Sequence, residues 1–175
     1  MTADTRAFIA FGANLGDATH AYSEAMRAID GLPHTRITAR SSLYRSAPVG
    51  VHGHPDYINA VIEAHTRLAP HQVLDALLAI EKRHGRTRGA EVSPRTMDLD
   101  LLLFGNDCID SDRLKIPHPR MHLRAFVLLP LAEIDTEVQI PGKGRLAELL
   151  ANVADQVIDR LPHFETTGTM ENALP

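Results

Sequence analysis

The stretch from Pro94 to Phe104, P-R-T-M-D-L-D-L-L-L-F, constrains this chain more than any other. Successive side chains of a strand point to opposite faces, so Met97, Leu99, Leu101 and Leu103 are expected on one face and Asp98 and Asp100 on the other. The apolar face needs a core. Two carboxylates one pleat repeat apart repel unless water, hydrogen bonds or a hard cation comes between them. Two readings stay open: D-x-D as the wet face of an edge strand, or D-x-D as a magnesium-binding pair. Leu102 and Phe104 continue the aspartate face in apolar residues, which places the carboxylates at the mouth of something partly buried. Arg95 supplies a cation just upstream, and a cation beside metal-binding carboxylates is what phosphate chemistry requires.

A chain of 175 residues is long enough to bury one core without staples. One domain is expected over residues 1–161, with a loose tail, poor in apolar residues, over 162–175. The formal net charge of -4 speaks against coating nucleic acid or an anionic membrane. Cys108 is the single cysteine, so no intramolecular disulfide is available. The polar start M-T-A-D-T-R precedes an apolar run too short for a secretory signal or a membrane span. The expectation is a soluble, cytoplasmic, monomeric protein that handles small molecules and neither nucleic acid nor membrane.

In chain order, Ala7 to Phe11 reads as a buried strand running into the loop G-A-N-L-G-D, whose glycines are expected to serve the turn. That loop lacks the lysine of a P-loop and the third glycine of a dinucleotide fingerprint. Asp17 or Thr19 can cap a following helix, with Ala21, Tyr22, Ala25, Met26 and Ile29 on one face and Gly31 and Pro33 as stops. Strands are expected over Ile37–Arg45 and Tyr57–Thr66, flanking a long loop rich in Pro, Gly and His. Within it, His52 and His54 lack the further ligands of a zinc site and read as solvated. Alternation puts Tyr57 and Asn59 on one face, either ordinary core edge or a platform that stacks and hydrogen-bonds a flat heterocycle.

Leu68 to His84 is the clearest helix, with Pro70 in its first turn, a stripe of Val73, Leu74, Leu77, Leu78 and Ile80, and Gly85 as a stop. Arg86, Arg88 and Arg95 are spread along the loop that empties into the aspartates, a solvated basic loop or a set of cations that closes over a polyphosphate. After Phe104, G-N-D reads as a turn into a second strand, Cys108–Ile116, with Asp110 and Asp112 facing water. The run I-P-H-P-R-M-H-L-R-A-F then becomes an apolar helix and brings His118, Arg120, Arg124 and Phe126 to its start, a position that favours anions. His118 and His122 carry no H-E-x-x-H pattern. A turn at Pro141–Gly144 and a short helix at Leu146–Val153 follow.

Five blocks in this order carry a resemblance: F-G-A-N-L-G, S-S-L-Y-R-S-A-P, P-D-Y-I-N-A, P-R-T-M-D-L-D-L-L-L-F-G, and I-P-H-P-R-M followed by R-A-F. Together they cover residues 8 to 150 and resemble the 6-hydroxymethyl-7,8-dihydropterin pyrophosphokinases of folate biosynthesis. The resemblance implies an α+β, ferredoxin-like antiparallel sheet with helices packed on it. It implies transfer of the terminal pyrophosphoryl group of ATP to the hydroxymethyl oxygen of the pterin, with release of AMP.

Carried over residue by residue, it implies that Asp98 and Asp100 hold two magnesium ions on the triphosphate and that Arg86 and Arg95 steady the transferred group. Glu81, Arg88, Leu101, Arg113, His118 and Arg124 are the further ATP-binding positions it implies. Tyr57 and Phe126 would be the aromatic walls of the pterin site, Asn59 its amide partner, and Ser46 and Val49 contributors from the loop edge. The chain departs from the family pattern at Glu91 and Ser93, where a basic and then a small residue are usual, and at Pro119. A nucleotidyl-transfer palm would share a carboxylate pair on such a fold but would release free pyrophosphate. An RNA-binding module would need an aromatic K/R-G-F strand motif and a basic sheet, which this sequence lacks.

Overall fold

A computed structural model of the chain describes residues 3–14, 16–48, 52–84 and 97–162. The elements run β1 (Thr5–Ala13), α1 (Ala18–Asp30), β2 (Thr35–Arg40), β3 (Tyr44–Ser46), β4 (Tyr57–Thr66), α2 (Pro70–Arg83) and β5 (Asp98–Phe104). Next come β6 (Ile109–Asp110), β7 (Lys115–Ile116), a 3₁₀ turn (Met121–Leu123) and α3 (Ala125–Ile134). The described chain closes with β8 (Gln139–Ile140), β9 (Gly144–Arg145), α4 (Leu146–Ala151) and β10 (Ile158–Arg160).

Strand β1 pairs antiparallel with β4 on one side and β5 on the other, and β2 pairs antiparallel with β4. The order β2-β4-β1-β5, built from two β-α-β units, is the ferredoxin-like arrangement of an α+β domain. Strand β3 pairs with the early part of β4, and β10 extends the sheet beyond β3. Among the described residues, no helix is long and apolar enough to cross a membrane.

Both faces of the sheet are covered. On one, Ala7, Ile9, Phe11 and Ala13 of β1 meet Tyr22, Ala25 and Ile29 of α1 and Val73, Leu77 and Ile80 of α2. Helix α1 starts where the Asp17 carboxylate accepts the His20 N–H at 3.0 Å. Helix α2 starts at Pro70, with the Gln72 side chain accepting the Ala69 N–H at 2.8 Å. On the opposite face, Phe8, Val61, Leu102 and Leu103 pack with Val127, Leu128 and Leu131 of α3 and with α4 residues Leu146 and Leu149.

Three expectations are corrected by this architecture. The strand expected over Ile37–Arg45 is divided into β2 and β3. At the break the Ser41 hydroxyl accepts the Val61 N–H at 2.9 Å, a bond that a backbone carbonyl would make in a continuous ladder, while the Ser41 N–H donates to the Val61 carbonyl. The alternation of β5 is also interrupted. Phe8 faces Leu103 but the next residue, Ile9, faces Leu101, so Leu102 is a bulge. Leu103 therefore joins Leu102 on the α3 side, and Phe104 joins Met97, Leu99 and Leu101 on the α1–α2 side, the reverse of the simple period. Finally, Cys108–Ile116 is a hairpin of two short strands, β6 and β7, tied by a Lys115–Asp110 ion pair.

Helix α3 is fastened to the sheet by carboxylates near its C-terminal end. Glu133 accepts from the Ser42 N–H at 3.0 Å, the Ser42 hydroxyl at 2.6 Å, the Tyr44 hydroxyl at 2.7 Å and Arg160 at 3.2 Å. Arg6 bridges Asp135 at 2.8 Å and Glu63 at 2.6 Å. Burial alone would raise the Glu63 and Glu133 pKa values, but hydrogen bonds from Arg6 and Thr38, and from Ser42 and Tyr44, hold both below the ordinary range. The hydrogen bond from Arg6, seconded by the Glu137 N–H, holds Asp135 low.

Carboxylates with lowered folded-state pKa values contribute stability above their unfolded values and lose it as pH falls through the folded ones. Glu133→Gln is expected to lower stability at neutral pH by about 2 kcal/mol, the scale of hydrogen bonds to a charged group. It should also flatten the fall of stability between roughly pH 5 and pH 3. Urea unfolding followed across that range checks both. An unchanged slope would mean that Glu133 does not sense the folded state.

Candidate active site

Residues paired across adjacent antiparallel strands point to the same face, so the register of β1 lays out the site. Gly12 pairs with Asn59 of β4 on one side and Asp98 of β5 on the other. One row further in, Ala10 lies between Val61 and Asp100. Strand β3 adds Ser46 opposite Tyr57. Ser46, Tyr57, Asn59, Asp98 and Asp100 thus share the face that carries α3. Tyr57, Asp98 and Asp100 are half-buried, whereas Asn59 and Ser46 are 5% and 8% exposed, with the Asn59 amide donating to the Ser46 hydroxyl at 2.8 Å.

Gly12 corrects another expectation. It lies inside β1 and not in the turn, where Gly16, with φ +66, does the turning. A Cβ at Gly12 would stand 3.7 Å from the Asn59 side-chain oxygen, so glycine keeps the floor between amide and carboxylate free of a side chain. The signal was present in F-G-A, but only the pairing register reveals it.

The segment after β7 closes one side. Beyond a cis Ile116–Pro117 bond, the His118 N–H donates to the Leu102 carbonyl at 2.9 Å, and the Arg120 N–H donates to His118 Nδ1 at 3.2 Å. Burial lowers the His118 pKa, with Arg124 and Arg120 adding to it and Asp98 opposing. The ring is neutral at pH 7, and with Nδ1 accepting, its proton sits on Nε2 as a donor. Arg124 is half-buried, its guanidinium carbon 5.3 Å from the Phe126 ring centroid. Burial and Arg120 pull its pKa down while Asp100 and Asp98 pull it up, so the guanidinium lies within the field of both carboxylates. Phe126 packs half-buried at the edge of the α3 core.

Glu81 is 2% exposed and accepts the Leu99 N–H at 2.7 Å, anchoring β5 beside the aspartates. Its place was legible: Glu81 stands four residues after Leu77 on the buried stripe of α2, where a carboxylate has to find a partner. The Leu101 side chain is 4% exposed among the α1–α2 core residues. By the strand period its N–H turns to the same side as that of Leu99, two residues before it on the sheet-edge strand, away from β1. Arg113, in the hairpin, is exposed and ion-paired with Asp75 of α2. Val49, Arg86, Arg88, Glu91, Ser93 and Arg95 lie outside the described residues.

Among the described residues, no group of three or more His, Cys, Asp or Glu side chains is assembled to hold a metal. A pair of carboxylates suits magnesium, which keeps several waters and completes its octahedron with substrate phosphate oxygens. Asp98 and Asp100, half-buried on one face with cationic neighbours in reach, fit that role.

Residues 8–136 match the model of the 7,8-dihydro-6-hydroxymethylpterin-pyrophosphokinase family. The chain belongs to this family. It is 45% identical over 157 residues to the 2-amino-4-hydroxy-6-hydroxymethyldihydropteridine pyrophosphokinase of Pseudomonas aeruginosa, covering 90% of this chain and 97% of that one. It is 41% identical over 155 residues to the Haemophilus influenzae protein of the same name, covering 89% and 97%. Its fold matches a crystal structure of Plasmodium falciparum HPPK-DHPS with pteroate at a TM-score of 0.70 and 12% identity, covering 91% of this chain and 46% of that longer one.

In this pyrophosphokinase the Glu81–Leu99 link is expected to hold β5 in place. Glu81→Ala should cost about 1–3 kcal/mol, because it strips the acceptor from a buried N–H, and Glu81→Gln should cost less because it keeps one. Denaturant midpoints measure the difference. Equal costs would assign Glu81 to charge and not to the hydrogen bond.

Proposed function

We propose that this chain transfers the terminal pyrophosphoryl group of ATP to the hydroxymethyl oxygen of 6-hydroxymethyl-7,8-dihydropterin, the step of tetrahydrofolate biosynthesis for which its family is named. The observation that carries the assignment is the row Asn59–Gly12–Asp98, which sets an amide and a carboxylate on one face, on the two strands that flank β1. In the reaction the hydroxyl oxygen forms a bond to the β-phosphorus of ATP. The bond from that phosphorus to the oxygen joining it to the α-phosphate breaks, AMP leaves, and the hydroxyl proton passes to a base.

The residues divide by chemistry. Asn59, held by Ser46, offers its remaining amide capacity to the pterin, with Tyr57 and Phe126 as aromatic walls. Asp98 and Asp100 would hold two magnesium ions, and one of the carboxylates would help remove the proton. Magnesium bound there would neutralise triphosphate charge. Arg124 and the Nε2–H of His118 supply a cation and a donor beside the carboxylates, where charge develops on the transferred group. Arg86 and Arg95 steady that group, and Glu81, Arg88, Leu101 and Arg113 complete the ATP site, with Val49 at the loop edge of the pterin site. The protein works as a cytoplasmic monomer on these two small molecules.

The test is chromatographic separation of nucleotides after incubation with ATP, magnesium and the hydroxymethyl dihydropterin. AMP formed only with the pterin supports the assignment; release of free pyrophosphate sinks it. Asp98→Asn and Asp100→Asn should each lower turnover by about 10²-fold or more, and chelating magnesium should abolish it. Tyr57→Ala and Phe126→Ala should weaken pterin binding far more than ATP binding, by about tenfold for a lost stacking partner. Equal weakening of both ligands in calorimetry, with folding intact, would remove the aromatic walls from the scheme.

A further inference from the structure

Helix α3 begins without a cap of its own. Its N-cap residue is Arg124, whose side chain makes no capping hydrogen bond, although Ser, Thr, Asp or Asn ordinarily stands at such a position. The missing function comes from far along the chain. The Gln156 side-chain oxygen accepts the Ala125 N–H at 2.9 Å, and its amide nitrogen donates to the Leu123 carbonyl at 2.8 Å. One carboxamide therefore grips the peptide groups on both sides of Arg124, using its donor and its acceptor together.

Gln156 is itself fixed. It follows α4 in a turn where its own N–H donates to the Val153 carbonyl at 3.0 Å, and Val153 is buried in the α3 core. From there the chain enters β10 and the sheet. It also stands beyond residue 136, where the match to the family model ends.

We infer that Gln156 is a positioning residue for Arg124: by capping α3 from outside, it leaves the N-cap position to an arginine and fixes the backbone that carries its guanidinium. The physical logic is substitution of one cap for another. A Ser or Asp at 124 would satisfy the first turn of α3 but would remove the cation. With the cap supplied by Gln156, position 124 can carry a guanidinium, which stands 5.3 Å from the Phe126 ring centroid and within the field of both carboxylates. The inference rests on the pyrophosphokinase reading for its effect on turnover, but the clamp can be read without it.

The experiment is a double-mutant cycle on the full chain. Gln156→Ala is expected to lower turnover by about threefold to tenfold, the effect of a pair of partly solvated neutral hydrogen bonds. In an Arg124→Ala background the same change should alter turnover by less than about twofold, since the residue it positions is gone. Gln156→Glu keeps the acceptor for Ala125 but sets a carboxylate against the Leu123 carbonyl, and should fall between wild type and Gln156→Ala. Amide hydrogen exchange at Ala125 should speed up in Gln156→Ala. Equal losses in both backgrounds, or unchanged turnover in Gln156→Ala, would overturn the inference. If the wild-type chain forms no AMP, the functional reading fails on its own, and exchange at Ala125 still decides the clamp: faster exchange supports it, unchanged exchange overturns it.

Discussion

The register of β1 against its two neighbours is the constraint on which the site depends. Side chains alternate with a period of two, so a slip of one residue against either β4 or β5 would send Asn59 or Asp98 to the opposite face. The register is secured by apolar packing on both sides of the sheet: Ala7, Ile9, Phe11 and Ala13 toward α1 and α2, Phe8 and Ala10 toward α3. The bulge at Leu102 matters for the same reason. It lets β5 present two aspartates to the α3 face at one end and Leu102 and Leu103 to the α3 core at the other, without breaking the pairing with β1.

Helix α3 is held at both ends by polar groups from other elements. Near its C-terminal end, Glu133 collects Ser42, Tyr44 and Arg160, and Asp135 binds Arg6. At its start, Gln156 grips the peptides around Arg124. Between these ends the helix is almost wholly apolar, and apolar packing alone is non-directional and allows sliding. Directional bonds at the two ends set the position along the axis, and Arg124 and Phe126 inherit it. Tyr44 faces Asn59 across the β3–β4 pair, so the Glu133 bonds fix the distance between the helix and the amide as well.

Much of this was legible in the sequence. The span of β4 follows from Tyr57–Thr66, the Asp17 cap and the Pro70 start follow from side-chain chemistry, and D-x-D on one face follows from the strand period. What escaped depends on long-range partners. The Ser41 hydroxyl divides a strand by bonding to Val61, twenty residues on, and nothing within S-S-L-Y announces it. The bulge at Leu102 exchanged the faces of Leu103 and Phe104, because in D-L-D-L-L-L-F leucines satisfy either face. Gly12 read as a turn glycine until pairing placed it between Asn59 and Asp98. Gln156 is the clearest case: an exposed glutamine carries no local signal, and its role appears only when Leu123 and Ala125 are seen around its amide.

The location of the site follows from where α3 is tied. Glu133, near its C-terminal end, bonds Ser42 and Tyr44, and Asp135 bonds Arg6, while its apolar residues pack with Val61, Phe8 and Leu103. Ser46, Tyr57, Asn59 and Asp98 occupy the same face in the rows toward the start of β4. In those rows the buried amide of Asn59 is satisfied by the Ser46 hydroxyl, whereas Asp98 and Asp100 are only half-buried and keep part of their surface accessible. The N-terminus of α3 carries Arg124 at its cap, so the helix that closes the core also brings a cation into the field of the half-buried carboxylates.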